Sequence, residues 1–394
     1  IFLNILFPPS ILYRVLRREH KRGLYRSADL LFPGRSGGTH RASRADAGTR
    51  PRPLSYSPQM NFNKSRAVLL CGCVILIASC LISLGIGALS LPIEQVVYAL
   101  LTPVCTNLDI SAQTQSVVLN VRLPRILTAI VCGAGLAASG AAFQALFSNP
   151  LATADTLGVS TGAAFGAVLG ILFGFDAFGV QTLSLIVGLA AVFGVWQLSL
   201  IHGKSSILML ILSGLVVAAL FSSLISLVKF AADPQDELPA VTFWLMGSLT
   251  GADWKSLKLG LPFVVIGSLV IWALRWKLNA LSLSEDEAKS LGLPVSRLRL
   301  IIVTAATAVT AASVSMCGLI GWIGLLIPHF VRLACGSDNR TVVPASFLFG
   351  AVFLLVCDTI ARCIAQMEIP VSVLTSLVGA PIFLILLRRK STFL

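Results

Sequence analysis

Charge is what this chain has least of. Aspartate, glutamate, lysine and arginine make up 12% of its 394 residues, roughly half the share usual in soluble proteins. That excludes a soluble globular domain. A hydrophobic content of 56% and a mean hydropathy of +0.88 place the chain among all-α polytopic membrane proteins.

Catalytic chemistry is equally scarce. There are four histidines, none paired at ligand spacing, and neither HExxH nor GxSxG occurs. His329, in IPHFVR, reads as a structural histidine at a helix end rather than a ligand or proton relay. The nine cysteines contain no CxxC pair, and Cys71, Cys73, Cys80, Cys132, Cys317, Cys357 and Cys363 sit inside apolar runs. They read as small apolar fillers rather than a disulfide framework or a metal site. The run His202-Gly203-Lys204-Ser205 ends like a phosphate-binding loop, yet Leu198 stands where its first glycine belongs and no strand is expected before it. A nucleotide site in this chain is therefore excluded. Acids are few in the apolar segments, with Asp155 at a loop edge and Asp358 near an outer helix end. An ion-coupled carrier keeps ionisable groups or broken helices at the membrane midplane. An ion-coupled secondary transporter of a small solute is thus the alternative reading, and a membrane enzyme a third. For a transporter of this composition, the energy is expected from another polypeptide.

The head differs in kind. Residues 1–59 carry eleven Lys or Arg against three acids, hence +8 of the formal +13. A transit peptide has this composition, and a basic arm for nucleic acid or anionic lipid has it too. The favoured reading is simpler: MNFNKSR, beginning at Met60, is an ordinary basic lead-in to a first membrane helix, so 1–59 is a disordered or spurious upstream extension. Residues 60–394 are then the transmembrane domain, with no nucleic-acid partner.

A span needs about 20 apolar residues to cross about 30 Å of hydrocarbon. Segments near 67–89, 123–146, 157–174, 178–200, 206–230, 256–275, 299–317, 319–335, 343–365 and 372–388 qualify. About ten helices are expected, the seventh and eighth both short and joined by a tight turn at Cys317 and Gly318. A nine-helix arrangement with a re-entrant eighth segment is the alternative. With the start inside, thirteen Lys or Arg fall on the cytoplasmic side and six outside, which puts both termini in the cytoplasm.

The centre of the design is Arg122 to Gly170. Glycine recurs at Gly158, Gly162, Gly166 and Gly170, a bare stripe for close helix packing in lipid. Arg122 and Arg125 open the preceding helix on the outer side with no acid near them in sequence. Exposed guanidinium forks suit bidentate carboxylate docking, so an external acidic partner is expected. Arg362 has Asp358 four residues earlier on the same face as a structural partner. On the cytoplasmic side, LNALSLSEDEAKSLGLPVSRLR (278–299) carries a short amphipathic helix from Ser284 to Leu291. Ser284 and Glu287 stand at capping-box distance, and Gly292 and Pro294 stop it. A loop this organised reads as a docking element for a soluble cytoplasmic subunit rather than a merely solvated surface helix.

Taken together, RLPR followed by GAGLAASGAAFQALFSNPLATADTLGVSTGAAFG, and the tail GLIGWIGLLIPHFVRLACGSDNRTVVPASFLFGAVFLLVCDTIAR with EIPVSVLTSLVGAPIFLILLRR, resemble the FecCD-type permeases. These are membrane subunits of bacterial ABC importers for ferric siderophores, haem and vitamin B12. The similarity runs in unbroken order over about residues 64–390. It implies a permease of ten helices per subunit, paired as a homodimer around one pathway in the inner membrane. It also implies two ABC ATPases on the cytoplasmic face, holding ATP and Mg, and a periplasmic binding protein. No cofactor and no enzymatic step then belong to this chain. By the same resemblance Arg122, Arg125 and Arg362 dock the binding protein, and Glu287, Ala288, Leu291 and Gly292 belong to the ATPase coupling loop. Ser205 and Ser206 match the narrow inner gate. Ser372 and Thr153 depart from the family pattern, which touches only local helix geometry.

Overall fold

The structure is a computed structural model that describes residues 62–87, 91–102, 110–201, 204–205, 207–364 and 368–391. The head, with the expectation that it is a spurious or disordered extension, lies outside the described residues, as does Ser206. The helices are α1 (Phe62–Gly85), α2 (Ile93–Leu101), α3 (Ala112–Ser116), α4 (Leu123–Leu146), α5 (Val159–Leu172), α6 (Ala177–Ser199), α7 (Ile207–Ala231) and α8 (Glu237–Leu245). They continue as α9 (Trp254–Leu274), α10 (Lys277–Leu281), α11 (Glu285–Ser290), α12 (Val295–Cys317), α13 (Ile323–Cys335), α14 (Asn339–Ile364) and α15 (Val371–Ser391). Between α6 and α7 two short strands, β1 (Leu200–Ile201) and β2 (Lys204–Ser205), pair antiparallel. No strand was expected there. This hairpin edge is a turn between helices and not the buried parallel strand that leads into a phosphate loop.

Among the described residues, seven stretches are long and apolar enough to cross a membrane: Arg66–Gly85, Ala112–Leu146, Ala177–Ser199, Leu208–Ala231, Trp254–Leu274, Val295–Cys317 and Asn339–Ile364. Val159–Leu172, Ile323–Cys335 and Val371–Leu386 are shorter apolar helices. The segments marked by hydropathy therefore all fall on helices, but two expectations about their ends need correcting. The second begins earlier than 123, because Ser111 accepts from the Thr114 amide and starts a helix at Ala112. A π-helical turn, Val117–Arg122, carries it into α4, the Leu123 amide reaching back to Val118 O. Pro124 explains the widening. It has no N–H for the Asn120 carbonyl, so the ladder slips by one. The second correction concerns α12 and α13. Only α13 is short, at 13 residues, whereas α12 runs for 23. Gly318 to Trp322 is a break in the chain path, not a tight turn between two short helices.

α4 and α12 form the interior. Their apolar windows are 72% and 78% buried, against 17% for α1 and α7, whose large side chains face outward. Small residues on α4 permit this. A Cβ on Gly140 would collide with the Gly324 carbonyl of α13, and one on Gly133 with the Gly350 carbonyl of α14. Where lipid tails are as apolar as leucine, such backbone proximity supplies the dispersion contacts that hold helices together.

Candidate functional site

α4 presents different chemistry at its two ends, about 30 Å apart by the helical rise. At its first turn Arg125 is buried, with 5% of its surface exposed. Its Nε and Nη2 donate to Asp358 Oδ1 at 3.0 and 2.8 Å, and its Nη1 donates to Glu368 Oε1 at 2.9 Å. Asp358, wholly buried on α14, also lies 3.3 Å from Arg362 Nε, an ion pair without hydrogen-bond alignment. Arg362 Nη2 donates to Ser83 Oγ at 2.6 Å, and Arg122 Nη1 donates to Leu84 O. Glu368 in turn accepts from Thr250 Oγ1 at 2.8 Å. The arginines thus tie α1, α4, α14 and the segments around Thr250 and Glu368 into one cluster.

This corrects one premise. Arg125 has two carboxylates within the chain, and all three arginines are buried. Asp358 and Glu368 lie 233 and 243 residues away along the chain, beyond any local reading. The Arg362–Asp358 spacing was the one signal available. Near Lys229, Lys255 and Lys258, Asp233 Oδ1 accepts from Gln235 N and Asp253 Oδ1 from Ser256 N.

The glycine stripe divides. Gly158 is not helical; it sits at φ +69 between the 3-10 turn Ala154–Leu157 and α5, a left-handed position that glycine adopts without strain. A Cβ there would meet α7 at Ala218 N. Gly162, Gly166 and Gly170 face α6, where added Cβ atoms would lie 2.6 Å from Ala191 Cβ, 2.6 Å from Leu183 O and 3.0 Å from Val180 Cα.

At the other end, the 278–298 loop folds as the sequence indicates. Ser284 and Glu287 form a reciprocal capping box on α11, and Gly292 takes φ +74 after it. Ala288 is buried, whereas Glu287 and Leu291 are exposed. Glu285 bridges Lys289 at 2.9 Å and the buried Arg299 at 3.3 Å, pinning α11 onto α12. The Lys289 ammonium, and Arg299 with it, holds the Glu285 carboxyl below its ordinary range, and the Ser284 hydroxyl does the same for Glu287. Glu285 in turn raises Lys289. Ser282 Oγ donates to Ala145 O at 3.0 Å and Ser148 Oγ to Ser282 O at 2.9 Å, so the loop is fastened to the end of α4. Of the two residues expected at the gate, Ser205 ends β2 and Ser206 lies outside the described residues.

Between the two ends lies a cavity of about 280 Å³. It opens where two chain paths break, at Asp155 before α5 and at Gly321 and Trp322 before α13, with Thr153, Ser160, Thr161 and Thr310 adding hydroxyls to an otherwise apolar lining. No Lys, Arg or His lines it.

A helical bundle with apolar spans, a largely apolar cavity among them and an organised polar loop at one end is the build of a multi-pass membrane protein. A family model described as the FecCD transport family matches residues 75–389. The molybdate import system permease protein MolB of Haemophilus influenzae is 41% identical over 317 residues, covering 80% of this chain and 94% of that protein. The cobalamin import system permease protein BtuC of Halobacterium salinarum is 40% identical over 305 residues, covering 77% and 81%. A solved structure described as an inward-facing conformation of a metal-chelate type ABC transporter superposes with TM-score 0.74 at 38% identity, covering 82% of this chain and 99% of that one. The chain belongs to the FecCD transport family, and it is the permease of an ABC importer rather than an enzyme. Membership implies ATPase and substrate-binding partners.

Proposed function

We propose that this permease imports a metal chelate, a ferric siderophore first, then haem or vitamin B12, by alternating access powered by two ATPases. In this reading ten helices cross the bacterial inner membrane with both termini cytoplasmic, and two copies enclose one pathway. The observation that carries it is the 278–298 loop: a capped helix, pinned through Arg299, that leaves Glu287 and Leu291 exposed for a partner. ATP-driven closure of the ATPases moves that loop, and the loop rocks the helices fastened to it. The chain itself binds no nucleotide in this scheme. ATP and Mg belong to the partner.

The binding protein docks at the arginine cluster. Because Glu368 already holds Arg125, a docking carboxylate takes the place of Glu368 rather than meeting an idle guanidinium. Glu368→Gln is therefore expected to tighten capture of the binding protein, most clearly at low salt; unchanged or weakened capture removes the arginines from the docking surface.

A chelate is favoured over a bare oxyanion because the interior cavity offers Asp155 and hydroxyls but no cationic side chain. The 41% identity to a molybdate permease favours the second reading, oxyanion import. Uptake of labelled ferric siderophores, haem, cobalamin and molybdate, with and without the ATPase, decides between them. One chelate lost on removing either gene product supports the proposal, and molybdate alone supports the second reading. Uptake that survives loss of the ATPase and collapses with the proton gradient returns the ion-coupled carrier.

A further inference from the structure

Pro328 sits inside α13 and has no N–H for the carbonyl four residues earlier, that of Gly324. The orphaned oxygen is taken by another helix: Gln144 of α4 donates its Nε2 to Gly324 O at 3.1 Å and to Leu325 O at 3.2 Å. Gln144 is 3% exposed, and its Oε1 accepts from Arg332 Nη1. A donor aimed at two carbonyls and an acceptor aimed at a cation fix the orientation of the amide. Arg332 Nη2 also reaches Ala141 O at 3.3 Å and Asn339 Oδ1 at 3.5 Å. Asn339 donates its backbone N–H and its Nδ2 to Asn279 Oδ1 at 2.8 and 2.9 Å, and Asn279 Nδ2 donates to Asp338 at 2.7 Å. Asn279 lies on α10, inside the 278–298 loop.

These bonds form one unbroken path. It starts in the loop, crosses the first residue of α14, climbs α13 from Arg332 to Gly324 over about 12 Å, and ends beside Gly321 and Trp322, which line the interior cavity. Gly324, Pro328 and Arg332 are spaced four apart, so they share one face of α13. The far end is a break in the chain path, where backbone rearranges more readily than within a helix.

We propose that Gln144 and Arg332 are positioning residues which hand movement of the 278–298 loop to the Gly318–Trp322 break at the interior cavity. The proposal rests on the reading of that loop as the ATPase-coupling element. Loop motion shifts Asn279, and Asn339 and Arg332 follow. Gln144 then draws on the Gly324 carbonyl, reshaping the wall of the cavity.

The test is hydrogen–deuterium exchange on the complete transporter, permease with its ATPase, comparing the nucleotide-free state with ATP and vanadate. In the unmodified protein, amides of 318–325 and of α11 are both expected to change protection, on the order of tenfold for a coupling of ordinary size. Gln144→Glu keeps an acceptor for Arg332 but has no N–H for Gly324. In it the response of 318–325 is expected to vanish while α11 still responds. The double variant Gln144→Glu with Pro328→Ala returns a backbone N–H to Gly324. If Gln144 merely fills an orphan carbonyl, the double variant regains the response, and that result overturns the proposal. A persistent response in Gln144→Glu alone overturns it too. A silent α11 in the unmodified transporter overturns the coupling-loop reading instead, and with it the starting point of the path.

Discussion

The two ends of α4 meet the same requirement with different chemistry. Each must fasten a polar chain segment to a helix buried among apolar neighbours. The end with Arg125 uses full charges, two guanidinium groups around the wholly buried Asp358. The end with Gln144 uses neutral amides, those of Gln144, Asn339 and Asn279, between the half-buried Arg332 and the carboxylate of Asp338. Opposite charges taken out of water hold firmly only while every member remains, since losing one strands the others in a poor dielectric. Neutral amides cost less to disturb and re-form with less penalty. The charged end is therefore the stiffer of the two, and the amide end the one that changes shape at less cost.

The largest effect that would break this comparison is at Asp358. Asp358→Ala leaves Arg125 and Arg362 without their shared carboxylate and is expected to cost about 3–5 kcal/mol, read as a fall in thermal midpoint of the purified permease. A loss no larger than that of Gln144→Leu would make the two ends equivalent. Next comes Gly140, where α4 and α13 meet backbone to backbone. Gly140→Ala forces them apart and should cost on the order of 1–3 kcal/mol. Gly194 on α6 has no atom within 4 Å of an added Cβ, so Gly194→Ala should be neutral or stabilising by up to about 1 kcal/mol. Equal behaviour of the two alanines would show that close packing at Gly140 contributes nothing. Gln144→Leu follows at about 1–3 kcal/mol, for the buried groups it leaves unmatched.

The smallest effect concerns α11, beyond the amide end. Glu285 and Glu287 hold folded-state values below the ordinary range. Their contribution is complete above about pH 4.3 and fades as pH falls through the lower folded values. Lys289 is raised by Glu285, so its share is complete below about pH 10.4 and fades as pH rises through the folded value. A spin label at Asp286 should keep constant mobility between these limits and loosen outside them. Ser284→Ala, at about 1 kcal/mol, should raise mobility at every pH. Label mobility that tracks pH across the neutral range would contradict the assignment.

Much of this is legible in the sequence. Apolar runs mark the helices because lipid leaves a spanning backbone no other partner, and Ser284 with Glu287 marks α11 because a capping box is local. Arg362 with Asp358 was legible for the same reason, four residues apart on one face. What escaped was everything joined across the chain. Glu368 beside Arg125 and Gln144 beside Gly324 are contacts between distant segments, to which no local period points. One clue to the second stood in plain view: Pro328 four residues after Gly324 and four before Arg332 announces a missing N–H and a cation on one face. Hydropathy also failed at Gly318–Trp322, because a broken path through apolar residues has the same composition as a helix.

The π turn at Val117–Arg122 sets a phase as well as a path. One residue inserted into a helical ladder turns everything before it by about 100° relative to everything after it. The face of α3 and the face of α4 are thus out of step by roughly a quarter turn. In that register Leu119 O is the carbonyl that Pro124, lacking an N–H, leaves without an intrahelical donor, and Trp254 of α9 donates its Nε1 to it at 3.0 Å. A single extra residue thus frees a carbonyl through which a distant helix is tied to the approach to α4.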